Sequence, residues 1–217
     1  ACLYPLACDR ILLKRDWPLS ALAALVLGIF LFGDQRISRG EALILLAMFG
    51  AVLFMQLKGA KQTEEKAPET RPMGRLLLFL VIGIAAIVIG GQITVDGATS
   101  LARILGLSET LIGLTIVAVG TSLPELVTSL VAARKGENEI AMGNVIGSNL
   151  FNILCILGVS ALLDPIQVEI TALYDTAFLL AVTLIFWLIC RHHKLDRPIG
   201  ILMVITYVCD LIYIILR

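Results

Sequence analysis

The chain has 217 residues and is 59% hydrophobic, with 17 basic and 17 acidic residues that give a formal net charge of zero. Its mean hydropathy of +0.95 excludes an ordinary soluble domain, and the charge balance leaves no basic face for nucleic acid. Apolar residues form long uninterrupted stretches without the alternating pattern of barrel strands, so the composition predicts an all-α, polytopic membrane protein.

Seven apolar stretches are predicted to form transmembrane helices, because about 20 helical residues cross a hydrocarbon core of roughly 30 Å. They lie at about 17–33, 40–57, 74–95, 107–133, 140–163, 170–190 and 198–216. If the spans alternate in direction, 13 of the 17 Lys and Arg residues fall on one side of the lipid bilayer. The other side receives Arg36, Arg39, Arg103 and Arg217. The positive-inside rule then places that side in the cytoplasm and the C-terminus outside. A multi-pass protein of the cell (inner) membrane is expected.

The first two spans are separated from the other five by a polar segment, residues 58–75, which is predicted to be a cytoplasmic linker. Residues 37–55 and 195–214 resemble each other weakly, and each has an arginine just before its final span. If they correspond, residues 76–217 form a five-helix repeat and residues 1–57 form the last two helices of a truncated first repeat. An odd number of spans inverts one copy relative to the other, as in many secondary transporters. The chain also starts without methionine, in a loop, so a fragment is expected.

The fourth span contains the motif GTSLPE at 120–125, in which Pro124 is the only proline well inside a span. The proline ring displaces the carbonyl of Gly120, and its missing N–H leaves that carbonyl without a helical partner. The backbone oxygens of 118–121 are therefore predicted to be available to a cation.

Glu125 is one of very few ionisable residues deep inside a span, and Thr121 and Ser122 lie on the same helical face. A carboxylate there costs roughly 2.5 kcal/mol or more on insertion scales, so such residues are usually functional. Hard cations such as Na⁺ and Ca²⁺ prefer carboxylate, hydroxyl and carbonyl oxygens. The alternative interpretation is a protonated Glu125 that is hydrogen-bonded to a neighbouring helix, and the adjacent hydroxyls and Pro124 make the cation site the favoured one.

The fifth span contains GNVIGSNLFN at 143–152, where Asn144, Ser148 and Asn152 recur every four residues on one face. Two glycines, each one position before a member of this stripe, would let another helix approach closely. Alone, such a stripe more often makes polar contacts between helices. Facing the fourth span across a short loop, it is predicted to form the other wall of an oxygen-lined site.

Together the two motifs closely resemble the second alpha-repeat of the cation/calcium exchanger superfamily, the sodium/calcium exchangers and their bacterial relatives. The resemblance is specific over 106–158 and looser across the five spans after the linker. It implies a ten-helix antiporter of two inverted five-helix halves, with this chain covering the last seven helices. It also implies that the protein needs no cofactor and that the transported cations are Ca²⁺ and Na⁺.

Residue by residue, the resemblance implies a cation site with Glu125 as the central carboxylate ligand. The further ligands that it implies are a carbonyl of Ala118, hydroxyls or carbonyls of Thr121 and Ser122, and the side chains of Ser148 and Asn152. Many calcium-transporting members carry aspartate at the position of Asn152. This departure would weaken divalent binding or alter the coupling to protons or sodium.

The first alpha-repeat, which supplies a matching glutamate in the family, has no counterpart in this chain, and a divalent ion needs a second negative group in a dry site. The chain alone is therefore expected to be inactive unless the missing half, or a second copy in a homodimer, completes the site. Proton- or potassium-coupled exchange is the alternative function, and a cation channel is a further one. Asp210, in the seventh span, is expected to have a structural or crevice-facing role.

The sequence does not predict an enzyme. It contains no HExxH, no GxSG with an intramembrane histidine and no GxGD paired with a second aspartate, which argues against an intramembrane protease. The last span has no lysine, which argues against a retinal-type receptor.

Overall fold

The computed structural model of the chain describes residues 2, 5, 6, 8–60, 73–107, 109–113, 116, 118–192 and 195–216, and these residues are mostly helical. The α-helices are α1 (Trp17–Asp34), α2 (Arg39–Ala60), α3 (Met73–Ile104), α4 (Glu109–Ile112), α5 (Ala118–Thr121), α6 (Leu123–Arg134), α7 (Asn138–Leu150), α8 (Leu157–Leu163), α9 (Ile170–His192) and α10 (Arg197–Leu216). One π-helical segment, Leu12–Asp16, leads into α1, and another, Phe151–Ile156, joins α7 to α8. Two short strands, β1 (Arg36–Ile37) and β2 (Ile166–Gln167), pair in antiparallel orientation.

Six helical stretches of the described residues are long and apolar enough to cross a membrane. They are Leu12–Asp34, Arg39–Gly59, Gly74–Ile104, Asn138–Leu163, Ile170–His192 and Arg197–Leu216. These stretches confirm six of the seven predicted spans and the all-α, polytopic membrane class. The remaining span, predicted at 107–133, is divided among α4, α5 and α6, each of which is too short to cross a bilayer alone.

The described residues are grouped in two compact units, the first of which we call the α1/α9 unit. It comprises the described residues of 6–65 and 137–195, with α1, α2, α7, α8, α9 and both strands. Within it α1 packs along α9, and α2 packs along α8. The indole Nε1 of Trp17 donates a hydrogen bond to the carbonyl of Thr183 at 3.0 Å, which holds α1 against α9.

The second unit, which we call the α3/α6 unit, comprises the described residues of 66–136 and 196–217, together with residues 2 and 5. Its helices are α3, α4, α5, α6 and α10, and α3 contacts each of α4, α5 and α6. Most large apolar side chains of α3 are exposed, as expected of a helix surface that meets lipid. This unit holds the interrupted span.

The ends of the predicted linker 58–75 are helical, because α2 extends to Ala60 and α3 begins at Met73. The middle of that linker, residues 61–72, lies outside the described residues. The two arginines that suggested the weak repeat are the first residues of α2 and α10. The division of the chain into a truncated repeat, a linker and a five-helix repeat stays a prediction.

Candidate functional site

The helix predicted to break at Pro124 is interrupted between α5 and α6, with Ser122 at the junction. The N–H of Ser122 donates to the carbonyl of Val119 at 3.1 Å, one residue closer along the chain than an α-helical partner. Pro124 lies in the first turn of α6, where its missing N–H removes no helical hydrogen bond. The structure therefore confirms the predicted break and centres it on Ser122.

Two glycines let the broken span pack closely on α3. Gly120 is buried, and a Cβ built on it would overlap Cγ2 of Val95 in α3. One turn earlier in α3, a Cβ on Gly91 would lie 3.7 Å from Cγ of Pro124, in ordinary contact. A larger residue at Gly120 would require Val95 or α5 to shift, so glycine at this position permits the close approach of α5 to α3.

Glu125 lies in the first turn of α6, one residue after the proline. Its side chain is half-buried, and its Oε2 atom is buried. The structure thus places a carboxylate directly beside the interrupted backbone of a membrane helix.

The other predicted ligands of this span are close to Glu125 in the chain fold. Ala118 is the first residue and Thr121 the last residue of α5, and Ser122 occupies the junction. The side chains of Thr121 and Ser122 are exposed. Hydroxyls, backbone carbonyls and one carboxylate are the donor groups that a hard cation prefers.

The stripe of the fifth span lies in the α1/α9 unit, on α7 and on the π-helical segment that follows. Asn144 and Ser148 are half-buried in α7, and the Ser148 hydroxyl donates to the Asn144 carbonyl at 2.7 Å. Asn152 is exposed and is the second residue of the π-helical segment. Its carbonyl accepts a hydrogen bond from the N–H of Leu157, five residues later, which is the π-helical pattern.

The six predicted ligands are therefore distributed over both units. Ala118, Thr121, Ser122 and Glu125 are in the α3/α6 unit, whereas Ser148 and Asn152 are in the α1/α9 unit. That all six bind one ion stays a prediction from the sequence. The described part of the chain contains no group of three or more His, Cys, Asp or Glu side chains arranged for a metal.

Comparison with known proteins gives the family. Residues 75–216, more than half of the chain, match the sodium/calcium exchanger protein family. The chain belongs to this family.

Relatives of this exchanger agree with that assignment. It is 37% identical over 218 residues to the inner membrane protein YrbG of Escherichia coli K12, and the aligned region covers 94% of this chain and 67% of that protein. It is 44% identical over 138 residues to the sodium/calcium exchanger MaX1 of Methanosarcina acetivorans, and the aligned region covers 63% of this chain and 39% of that protein. Among solved structures it resembles the sodium-calcium exchanger NCX_Mj with a TM-score of 0.83 and 30% identity, over 97% of this chain and 69% of that one. The chain is therefore a multi-pass membrane protein of the cation/calcium exchanger type, an antiporter, and two of these relatives, MaX1 and NCX_Mj, are sodium/calcium exchangers.

Several features of this exchanger were not predicted from its sequence. The π-helical segment Phe151–Ile156 contains neither proline nor glycine. The contact of Gly120 with Val95 joins residues that are far apart in the sequence. Thr99 Oγ1, on α3, is buried without a hydrogen-bond partner among the described residues. Only the contact could have been anticipated, since the glycine marks a place where a second backbone or side chain comes close.

Proposed function

We propose that this exchanger moves Ca²⁺ against Na⁺ by alternating access and that Glu125 is its central ion ligand. The observation that carries the proposal is the position of Glu125, beside a break in a membrane span and with one carboxylate oxygen buried. A carboxylate at such depth is retained where it meets a cation, another polar group or a water-filled path. The choice of ions is supported by two relatives, the sodium/calcium exchanger MaX1 and the sodium-calcium exchanger NCX_Mj, the latter soaked with Na⁺ and Sr²⁺.

The ligand set that we propose around Glu125 consists of oxygen donors only. Thr121 and Ser122 supply hydroxyls or carbonyls, and Ala118 supplies a carbonyl from α5. Ser148 and Asn152 are proposed as ligands from the fifth span. An all-oxygen set suits Na⁺ and Ca²⁺ and disfavours the softer transition metals, which prefer nitrogen and sulfur.

A divalent ion requires more negative charge than Glu125 alone provides, and Asn152 is neutral. We therefore propose that a matching alpha-repeat supplies a second carboxylate, either from further sequence of the same protein or from a second copy of the chain. The seven-span unit alone would then bind ions weakly and would not transport them.

The proposed exchange is tested with the chain completed by a matching alpha-repeat. Vesicles that contain this protein are loaded with Na⁺ and diluted into Na⁺-free medium with radioactive Ca²⁺. Antiport predicts Ca²⁺ uptake that stops when an ionophore collapses the Na⁺ gradient. A channel would pass Ca²⁺ without that gradient. Uptake driven by a proton or potassium gradient instead would identify the alternative coupling ion.

Glu125→Gln is the decisive variant, and ion binding to the purified protein is the readout that does not depend on transport. A ligand that binds only the folded protein raises its unfolding temperature, so Na⁺ and Ca²⁺ should stabilise the wild-type chain. Removing one partner of a buried charge pair costs about 3 kcal/mol, so the apparent affinity should fall by roughly a hundredfold. The matched control is Glu139→Gln, the same change at an exposed glutamate in the first turn of α7. If Na⁺ and Ca²⁺ stabilise Glu125→Gln and Glu139→Gln equally, Glu125 is not an ion ligand and the proposed site is wrong.

The membrane orientation is part of the proposal. We place the segment 58–75 in the cytoplasm of a cell with this protein in its inner membrane, and the C-terminus outside, because 13 of the 17 basic residues then face inward. Fusion of alkaline phosphatase or a fluorescent protein after the C-terminus measures this directly. A fluorescent protein that is active at the C-terminus, together with a phosphatase that is inactive there, would contradict the proposed orientation. This result would not bear on the proposed ion site.

A further inference from the structure

The α1/α9 unit contains a cavity of about 570 Å³ that is unrelated to the two exchanger motifs. It is lined by Arg10, Leu13, Lys14, Trp187 and Arg191. These residues lie where the chain enters the span Leu12–Asp34 and where the span Ile170–His192 ends. The cavity therefore lies at the end of two membrane helices, with a volume in the range of small-molecule sites.

The apolar wall of this cavity is held in place by a hydrogen bond between the two helical segments. Trp187 Nε1 donates to the carbonyl of Leu13 at 2.8 Å, which fixes the indole. The guanidinium of Arg191 lies over that indole, with its Cζ atom 4.8 Å from the ring centroid. Tryptophan and arginine thus form a preorganised aromatic and cationic surface.

The cations of the cavity are not neutralised by the described part of the chain. Arg10, Lys14 and Arg191 are exposed, and none forms an ion pair with any described acidic residue. The neighbouring Arg15 differs, because its Nε lies 2.8 Å from Oδ1 of Asp16. Three positive charges that no described acidic residue neutralises surround one cavity, and they predict an anionic ligand.

We propose that this cavity binds the phosphate-bearing headgroup of an anionic phospholipid. Basic pockets at the ends of transmembrane helices suit such headgroups, and tryptophan is enriched at this level of the bilayer. A guanidinium can bind phosphate through two parallel N–H donors, and the lysine adds a point charge. The lipid would contact both the residues that lead into α1 and the end of α9.

Trp187 provides the measurement, because it is one of only two tryptophans in the chain. The other, Trp17, is 6% exposed and is shielded from lipid. The full chain is placed in vesicles of brominated phosphatidylcholine, which quenches the accessible indole, and phosphatidylglycerol is then added to displace the quencher. The expected result is at least about a tenfold preference for phosphatidylglycerol over unbrominated phosphatidylcholine at low salt. Trp17→Phe should leave this preference unchanged.

Neutralising variants test whether the cavity is responsible. Arg10→Gln precedes α1 at an exposed position and should fold, and it should lower the preference by about fivefold, as should Lys14→Gln. Lys58→Gln is the matched control, with the same charge change at an exposed residue of the same unit outside the cavity lining. Equal quenching by the two lipids, or a preference that falls equally in Lys58→Gln, would overturn the proposal. Displacement by millimolar glycerol phosphate or inorganic phosphate with no preference between the lipids would assign the cavity to a soluble phosphate and would also overturn it.

Discussion

The break between α5 and α6 and the π-helical segment Phe151–Ile156 both interrupt a membrane helix, but by different physical means. At the break, residue types act locally. Ser122 closes a tight turn, Pro124 starts the next helix without needing an N–H partner, and Gly120 removes the side chain that would collide with α3.

The π-helical segment contains no such residues and continues the helix without ending it. Its distinguishing feature is tertiary packing within the α1/α9 unit. Leu154 is fully buried, and the ring of Phe151 meets Phe49 of α2 edge to face with centroids 5.8 Å apart. The difference teaches that residue types can end a helix locally, whereas the π-helical segment coincides with close packing between residues that are distant in the chain.

The largest effect is expected from Leu154→Ala, which removes packing from the π-helical segment. Because lipid is as apolar as a leucine, the loss comes mainly from lost contacts and the cavity, on the order of 2–5 kcal/mol. Denaturation of the purified protein in mixed detergent micelles measures it. The control is Ile156→Ala in the same segment, where the side chain is 51% exposed and the cost should be much smaller. Equal destabilisation by the two variants would contradict the packing explanation.

The next effect is expected from Gly120→Ala, which adds a methyl group where Val95 stands. Overpacking a closely packed contact typically costs about 1–3 kcal/mol, which denaturation of the purified protein in mixed detergent micelles measures. Gly90→Ala is the matched control in α3, since a Cβ there meets nothing within 4 Å, and it should be neutral or slightly stabilising. Val95→Ala should restore stability to Gly120→Ala. If Val95→Ala does not restore stability, the contact between Gly120 and Val95 is not the source of the cost.

The contrast also explains what could be predicted from the sequence. Proline, glycine and an isolated carboxylate act over one or two turns, so the residue types at Pro124 and Glu125 are enough to predict the interrupted span. The motifs also suffice for the family, because their residues are contiguous. The seven apolar stretches predict where the membrane helices lie. The interrupted span was predicted as one helix, but the structure divides it into short helices.

The remaining features depend on residues that are far apart in the chain. The indole of Trp187 donates to the carbonyl of Leu13 across 174 positions, so no local pattern marks the cavity between them. The π-helical hydrogen bond from Leu157 to Asn152 lies in the same segment as the fully buried Leu154, and neither feature is marked by a residue type in that segment. Local chemistry was therefore predictable, whereas packing between distant segments was not.

The smallest effect is expected from Asn152→Asp, which would make the π-helical segment chemically more like the Glu125 turn. Asn152 is exposed, so the variant protein should fold. The new carboxylate should strengthen Ca²⁺ binding by up to about 1 kcal/mol, which is roughly fivefold in Kd. Ca²⁺-dependent stabilisation measures the gain, with Asn149→Asp, the same change three positions earlier, as control. Combining Asn152→Asp with Glu125→Gln completes a double-mutant cycle. If both residues act on one ion, the gain should shrink when Glu125 is neutralised, whereas an undiminished gain would mean that the two segments bind ions independently.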